Sequence, residues 1–118
     1  MLNDAAAFYE SWPAEMNAAK AASPDLGKAF GPFFQTLMKE GALTVKQKEL
    51  IALGIAVATR CESCIYTHTE KCVRHGATAP EVMEAAGVGV MMGGGPAYTY
   101  TPVVAAALRH LNASIGTP

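Results

Sequence analysis

All three cysteines and one of the three histidines fall within thirteen residues, "RCESCIYTHTEKC", Arg60 to Cys72. Cys61 and Cys64 are three apart, His68 follows four later and Cys72 four beyond that. On a helix these four side chains line one face. Such a set could ligate a metal, tether a haem, form a structural bridge or run thiol–disulfide chemistry. At about 1.5 Å rise per residue, Cys61 and Cys72 stand roughly 16 Å apart along one helix. Zinc needs its donors within about 2.0–2.3 Å. No second CxxC or HxxxH completes a site, so zinc is left only a three-ligand arrangement recruiting Glu49 or a partner chain. Haem attachment needs a histidine directly after the second cysteine, and Ile65 stands there. Neither a metal nor a cofactor is expected.

A redox role accounts for more of the pattern. A cysteine near a helix N-terminus feels the positive end of the dipole and unpaired N–H groups, which lower thiol pKa. A CxxC at a helix start can close a disulfide, and His68, one turn on, can relay a proton to or from Cys64. Arg60, Glu62, Ser63 and Thr67 surround the pair with polar neighbours, which speaks against simple core filling. Cys72 is read instead as a small hydrophobe in the core. Glu49 lies twelve residues before Cys61 among Leu50, Ile51 and Leu53. A hairpin between Thr59 and Cys61 would fold it back beside the cysteine stripe, where a carboxylate can orient His68. Its alternative is a solvated carboxylate paired with Lys46 or Lys48.

The elements that must position these groups are marked by helix punctuation. Asn3 or Asp4 can cap a helix to about Ser11, and Pro13 can begin the next. Ser23-Pro24-Asp25 starts a helix to about Lys39, which Gly31-Pro32 should kink or divide and Gly41 should end. Thr44-x-x-Gln47 is a capping box for a central helix from Val45 to about Thr59. The cysteine helix runs from Cys61 to His75 and stops at Gly76. Thr78-Ala79-Pro80-Glu81 opens a further helix to Met92. Gly93-Gly94-Gly95-Pro96 breaks the chain before a last helix over Tyr98–Asn112, or one starting after Pro102. No stretch alternates like a strand. The expectation is one all-α domain over residues 1–118, a compact antiparallel bundle with N-terminal helices in 1–43 and a core carrying the redox motif in 44–112.

With 118 residues, 51% hydrophobic and 16% charged, the chain is more apolar than an average domain. Part of its apolar surface is therefore expected to be buried against copies of itself. A net charge of −1 and no Lys/Arg cluster exclude nucleic acid as the expected partner. The longest apolar stretches are too short to span a bilayer, and no signal peptide is evident. A cytoplasmic location is expected, where a cysteine pair is catalytic or metal-binding more often than a permanent staple.

Glu49, "CESCIYTH" and "HGAT" together resemble the pattern E-x11-C-x2-C-x3-H of the alkylhydroperoxidase D-like, carboxymuconolactone decarboxylase family. "MMGGGPAYTYTP" is similar to the glycine-rich run before the last helix of many short members. The resemblance spans Thr44 to Leu108. It implies an all-α bundle assembling as a homo-oligomer, trimer or hexamer, and, because both cysteines are present, the peroxidase branch. Cys64 would then attack a hydroperoxide and Cys61 resolve the product, with His68 and Glu49 as proton relay. An external dithiol, a thioredoxin-like or lipoyl protein, would restore the thiols. One departure is Ser63, where the best-known peroxidase members have histidine. Alternatives remain: a decarboxylase-like lyase acting on a small lactone acid through Glu49 and His68, or a non-enzymatic oligomeric redox sensor. Among lesser features, His75 and His110 are expected at the surface, Tyr98 and Tyr100 at a subunit contact, and Met91 and Met92 in the core or an interface. Trp12 is expected to anchor the N-terminal segment.

Overall fold

Helices begin where a side-chain oxygen can take the free N–H groups of a first turn. The computed structural model describes residues 4–115, and all regular structure among them is helical. Asp4 Oδ1 accepts the Ala7 N–H at 3.1 Å and opens α1, Ala5–Ala22; Asn3, the other expected cap, lies outside the described residues. Pro24 stands in the first turn of α2, Pro24–Met38. Thr44 and Gln47 exchange hydrogen bonds of 2.8 and 3.1 Å to start α3, Val45–Ala58. Thr78 and Glu81 do the same for α5, Ala79–Gly93. Between them runs α4, Glu62–Arg74. α6, Gly95–Tyr98, is a single turn, and α7 is Thr101–Ile115.

Several boundaries differ from those expected. Pro13 does not begin a new helix and Pro32 does not divide one; both lie inside continuous helices. Each proline is exposed, so water can take the carbonyl it leaves unbonded, and the remaining bonds of the helix carry it through. The glycine run breaks the chain only at Gly94, whose φ of 74° suits a residue without Cβ. The last helix starts at Thr101 rather than Tyr98, because residues 95–98 close a separate turn.

The core forms around α3, which packs most closely on α5 and α4, while α4 packs in turn on α7. Leu53 and Val57, Ile65 and Tyr66, Val82, and Val103 and Val104 are fully buried here. Gly54 and Gly89 permit the α3–α5 approach, since a Cβ on Gly89 would fall on the Gly54 carbonyl. The N-terminal pair is different. α1 buries only Ala5 and α2 buries nothing, while Leu26, Phe30, Phe33 and Leu37 face outward. Lys48 fastens the end of α2 to α3, donating from Nζ to the Leu37 and Lys39 carbonyls at 2.8 and 2.6 Å. No helix is long and apolar enough to cross a membrane among the described residues.

Candidate functional site

α3 ends in a Schellman turn: the Cys61 N–H reaches the Ala56 carbonyl at 3.0 Å and the Arg60 N–H reaches Val57 at 3.1 Å. Arg60 takes the left-handed conformation this needs, with φ of 58°. The chain thereby reverses in two residues, so α3 and α4 run antiparallel and Glu49 returns beside the cysteine helix.

Cys61 is the N-cap of α4 rather than its first helical residue. Its Sγ accepts the Cys64 N–H at 3.3 Å and lies 3.7 Å from the Ser63 hydroxyl. Sulfur thus occupies the place where Ser, Thr or Asp usually caps a helix, inside the ring of free amides that favours a negative atom. Cys61 and Cys64 are joined as a disulfide, their Cα atoms 5.2 Å apart, and both side chains are half-buried.

One turn on, His68 Nδ1 lies 2.6 Å from Glu49 Oε1. Glu49 is 3% exposed and the His68 side chain 18%, so the carboxylate is sealed and the ring reaches the surface. Spacing left Glu49 open to a solvated alternative, which this geometry removes. Lys46 pairs with Glu81 at 3.0 Å, and Lys48 is committed to the end of α2. A short contact to a buried carboxylate fixes the ring's orientation and leaves Nε2 as the nitrogen that can exchange a proton with the surface.

Cys72 is fully buried and free. Burial first, and the Glu49 charge second, push its thiol up to about 12, so it stays protonated at neutral pH. Its reading as core packing therefore holds. Among the described residues no three His, Cys, Asp or Glu side chains converge as a metal site would need.

Other expected placements divide. Trp12 stacks on Phe8 of the same helix, with ring centroids 4.9 Å apart, and Phe8 stacks on Tyr66 at 4.5 Å, so the ring contact from α1 to α4 is made by Phe8 with Trp12 behind it. His75 is exposed, but His110 is not a free surface residue: it is half-buried and stacked on Tyr9 at 5.3 Å. An aromatic neighbour contributed by α1 covers it. Met91 and Met92 are 70% and 74% exposed, so neither fills this chain's core. Tyr98 is exposed, and Tyr100 is half-buried against the core.

Two contributors were not visible beforehand. Ser63 registered only as a departure from a family pattern, yet its hydroxyl faces the Cys61 sulfur; its position two residues into a helix is the usable signal. Tyr9 donates to the Tyr66 carbonyl at 2.5 Å across 57 residues of sequence. Burial first, then the nearby Glu70 charge, raise the Tyr9 phenol, so it remains a donor. No local sequence signal marks that bond.

A family model for the carboxymuconolactone decarboxylase family matches residues 24–111. An uncharacterized protein of Cupriavidus necator is 33% identical over 99 residues, 84% of this chain and 88% of the relative. An uncharacterized protein from the cox locus of Paracoccus denitrificans is 31% identical over 99 residues, 84% of this chain and 89% of its own. Among solved structures, a carboxymuconolactone decarboxylase family protein from Legionella pneumophila superposes with TM-score 0.80 at 33% identity, covering 94% of this chain and 96% of that one. Another from Thermotoga maritima, suggested to be involved in the antioxidative response, gives TM-score 0.72 at 29% identity, covering 75% and 92%.

Proposed function

The chain belongs to the carboxymuconolactone decarboxylase family, and from that premise we propose that it is a thiol-dependent peroxidase, a disulfide oxidoreductase that reduces hydroperoxides. The observation that carries the reading is a cysteine pair capping a helix, one turn from a surface-reaching histidine held by a sealed carboxylate.

In the reduced protein the N-terminus of α4 favours the Cys64 thiolate. It attacks the O–O bond of a hydroperoxide: an S–O bond forms, the O–O bond breaks, and the departing alkoxide takes a proton from His68 and leaves as alcohol. Glu49 stabilises the imidazolium that supplies this proton. The Cys61 thiol then condenses with the Cys64 sulfenic acid, forming the disulfide and releasing water. One thiol of an external dithiol attacks Cys64, and Cys61 departs as a thiolate. The Cys64 N–H and the Ser63 hydroxyl are placed to receive that charge. The reductant's second thiol closes its own disulfide and frees Cys64. Two electrons pass from the dithiol to the peroxide. A thioredoxin-like or lipoyl protein in a reducing, cytoplasmic compartment suits the dithiol's role.

Exposed Ile51 and Ile55 on α3, with Val88, Met91 and Met92 on α5, support self-association, and the trimer or hexamer that the family resemblance implies is the assembly proposed. Cys64→Ser is expected to abolish peroxide-dependent thiol turnover. Cys61→Ser should leave a Cys64 sulfenic acid that dimedone traps and mass spectrometry locates. Full multiple turnover in both variants ends the proposal. The family match supports a second reading, a lyase acting on a small lactone acid with Glu49 and His68 as acid and base; it requires activity that survives loss of both cysteines and treatment with iodoacetamide. A non-enzymatic redox sensor would instead change oligomeric size on oxidation without turning over peroxide.

A further inference from the structure

α1 and α2 leave a hollow of about 560 Å³ between them, which Lys71 of α4 also lines. Its walls are apolar, built by Met16 of α1 and by Leu26, Phe30 and Phe34 of α2. Two cations line it, Lys20 and Lys71, and no carboxylate does. Neither lysine makes an ion pair among the described residues. Lys71 Nζ is held 4.3 Å from the centre of the Phe34 ring.

Gly27 and Gly31, one turn apart, form the α2 side of the hollow. A Cβ on Gly31 would meet nothing within 4 Å, and one on Gly27 would meet only Lys20 Cγ at 3.6 Å. Glycine inside a helix is less favourable than alanine, and no close approach among the described residues requires it at either place. The contrast is with Gly89, where the neighbouring backbone leaves no room. What the absent side chains do at Gly27 and Gly31 is keep the hollow open.

We propose that this hollow binds an amphipathic monocarboxylate of the fatty-acid kind, its chain along Met16, Leu26 and Phe30 and its carboxylate at Lys20 and Lys71. The volume falls in the range of small-molecule sites, about 300–1,000 Å³. Charge complementarity selects the occupant: an apolar helix from a second copy would cover the walls and leave two ammonium groups without partners. The proposal goes beyond the peroxidase reading and does not depend on it.

Calorimetric titration of the full-length protein with dodecanoate tests it. Saturable binding of one molecule per chain is expected, with dodecan-1-ol at least about tenfold weaker because it offers no charge to the lysines. Lys20→Gln and Lys71→Gln should each weaken dodecanoate by about tenfold. Gly31→Leu should remove binding while circular dichroism keeps the native helix signal, since its side chain enters open space on a helix. The two lysine variants carry the test should Gly31→Leu not fold. Absence of saturable binding, or equal affinity for acid and alcohol, overturns the proposal. So does a Gly31→Leu protein that changes oligomeric size and still binds dodecanoate, which would make the hollow a contact between copies. Peroxide turnover enters none of these readouts, so failure here leaves the redox reading standing, and failure there leaves this one.

Discussion

The two ends of α4 hold the same residue type in opposite circumstances. At its N-terminal end Cys61 and Cys64 are half-buried, bonded to each other and set among free amides. At its C-terminal end Cys72 is sealed, unbonded and beside a carboxylate. The backbone reverses at both ends by the same Schellman turn: Ala77 N–H reaches Cys72 and Gly76 N–H reaches Val73, repeating the Cys61 and Arg60 bonds. After the first turn the next residue in line is itself a cap and a thiol. After the second, Ala77 is buried and Thr78 takes over as cap. Residue type alone therefore does not set a thiol's surroundings: the N-terminal end of a helix favours a thiolate, whereas burial first and the Glu49 charge second keep the Cys72 thiol protonated.

Experiments can break this comparison. The largest effect outside the cysteine pair is expected from Glu49→Gln, which removes the charge behind His68. Peroxide consumption should fall by about 10²-fold with the helical signal retained, whereas Cys72→Ala should leave the rate unchanged. Equal losses in the two variants would mean that both ends of α4 serve the chemistry. Alkylation sharpens the contrast. In reduced native protein at pH 9, iodoacetamide should label Cys61 and Cys64, and label Cys72 only after denaturant is added, as read by peptide mass. The folded Cys72 pKa lies above its unfolded value, so its contribution to stability is complete below about 8.5. It is lost as pH rises toward about 12. Cys72→Ala should therefore flatten the alkaline fall in stability.

The smallest effects concern the two turns. Gly76 has φ of 91°, and Gly76→Ala should lower unfolding free energy in urea by about 1–2 kcal/mol. Arg60→Gly should raise it by about 0.5–1 kcal/mol, since Arg60 bears the cost of a left-handed conformation that glycine adopts freely. A change of the same sign in both would contradict the shared turn geometry.

Much of the central fold was legible because it is written locally. Thr44 with Gln47, Thr78 with Glu81, and Gly76 each act within four residues, and each marks a boundary where expected. The dyad was half legible: the reach from Glu49 to His68 follows from a tight reversal, but burial of the carboxylate depends on helices that pack from elsewhere. Pro13 and Pro32 misled because a proline's cost depends on whether water can reach the orphaned carbonyl, which local sequence does not state. His110 and Tyr9 lay beyond reach for a similar reason, since their contacts join the first helix to α7 and to α4 across long stretches of sequence. Met91 and Met92 follow the apolar pattern of a buried stripe, and that pattern does not distinguish a core from a face awaiting a neighbour.

Tyr66 stands between Cys64 and His68 in sequence, its carbonyl held by Tyr9 and its ring by Phe8, on which the chain's single tryptophan, Trp12, is stacked. A displacement of the cysteine helix that moves Tyr66 must disturb this column of rings. The protein thus carries an intrinsic fluorophore joined by contact to its cysteine helix, and the emission of Trp12 is expected to report a movement of that helix without any added label.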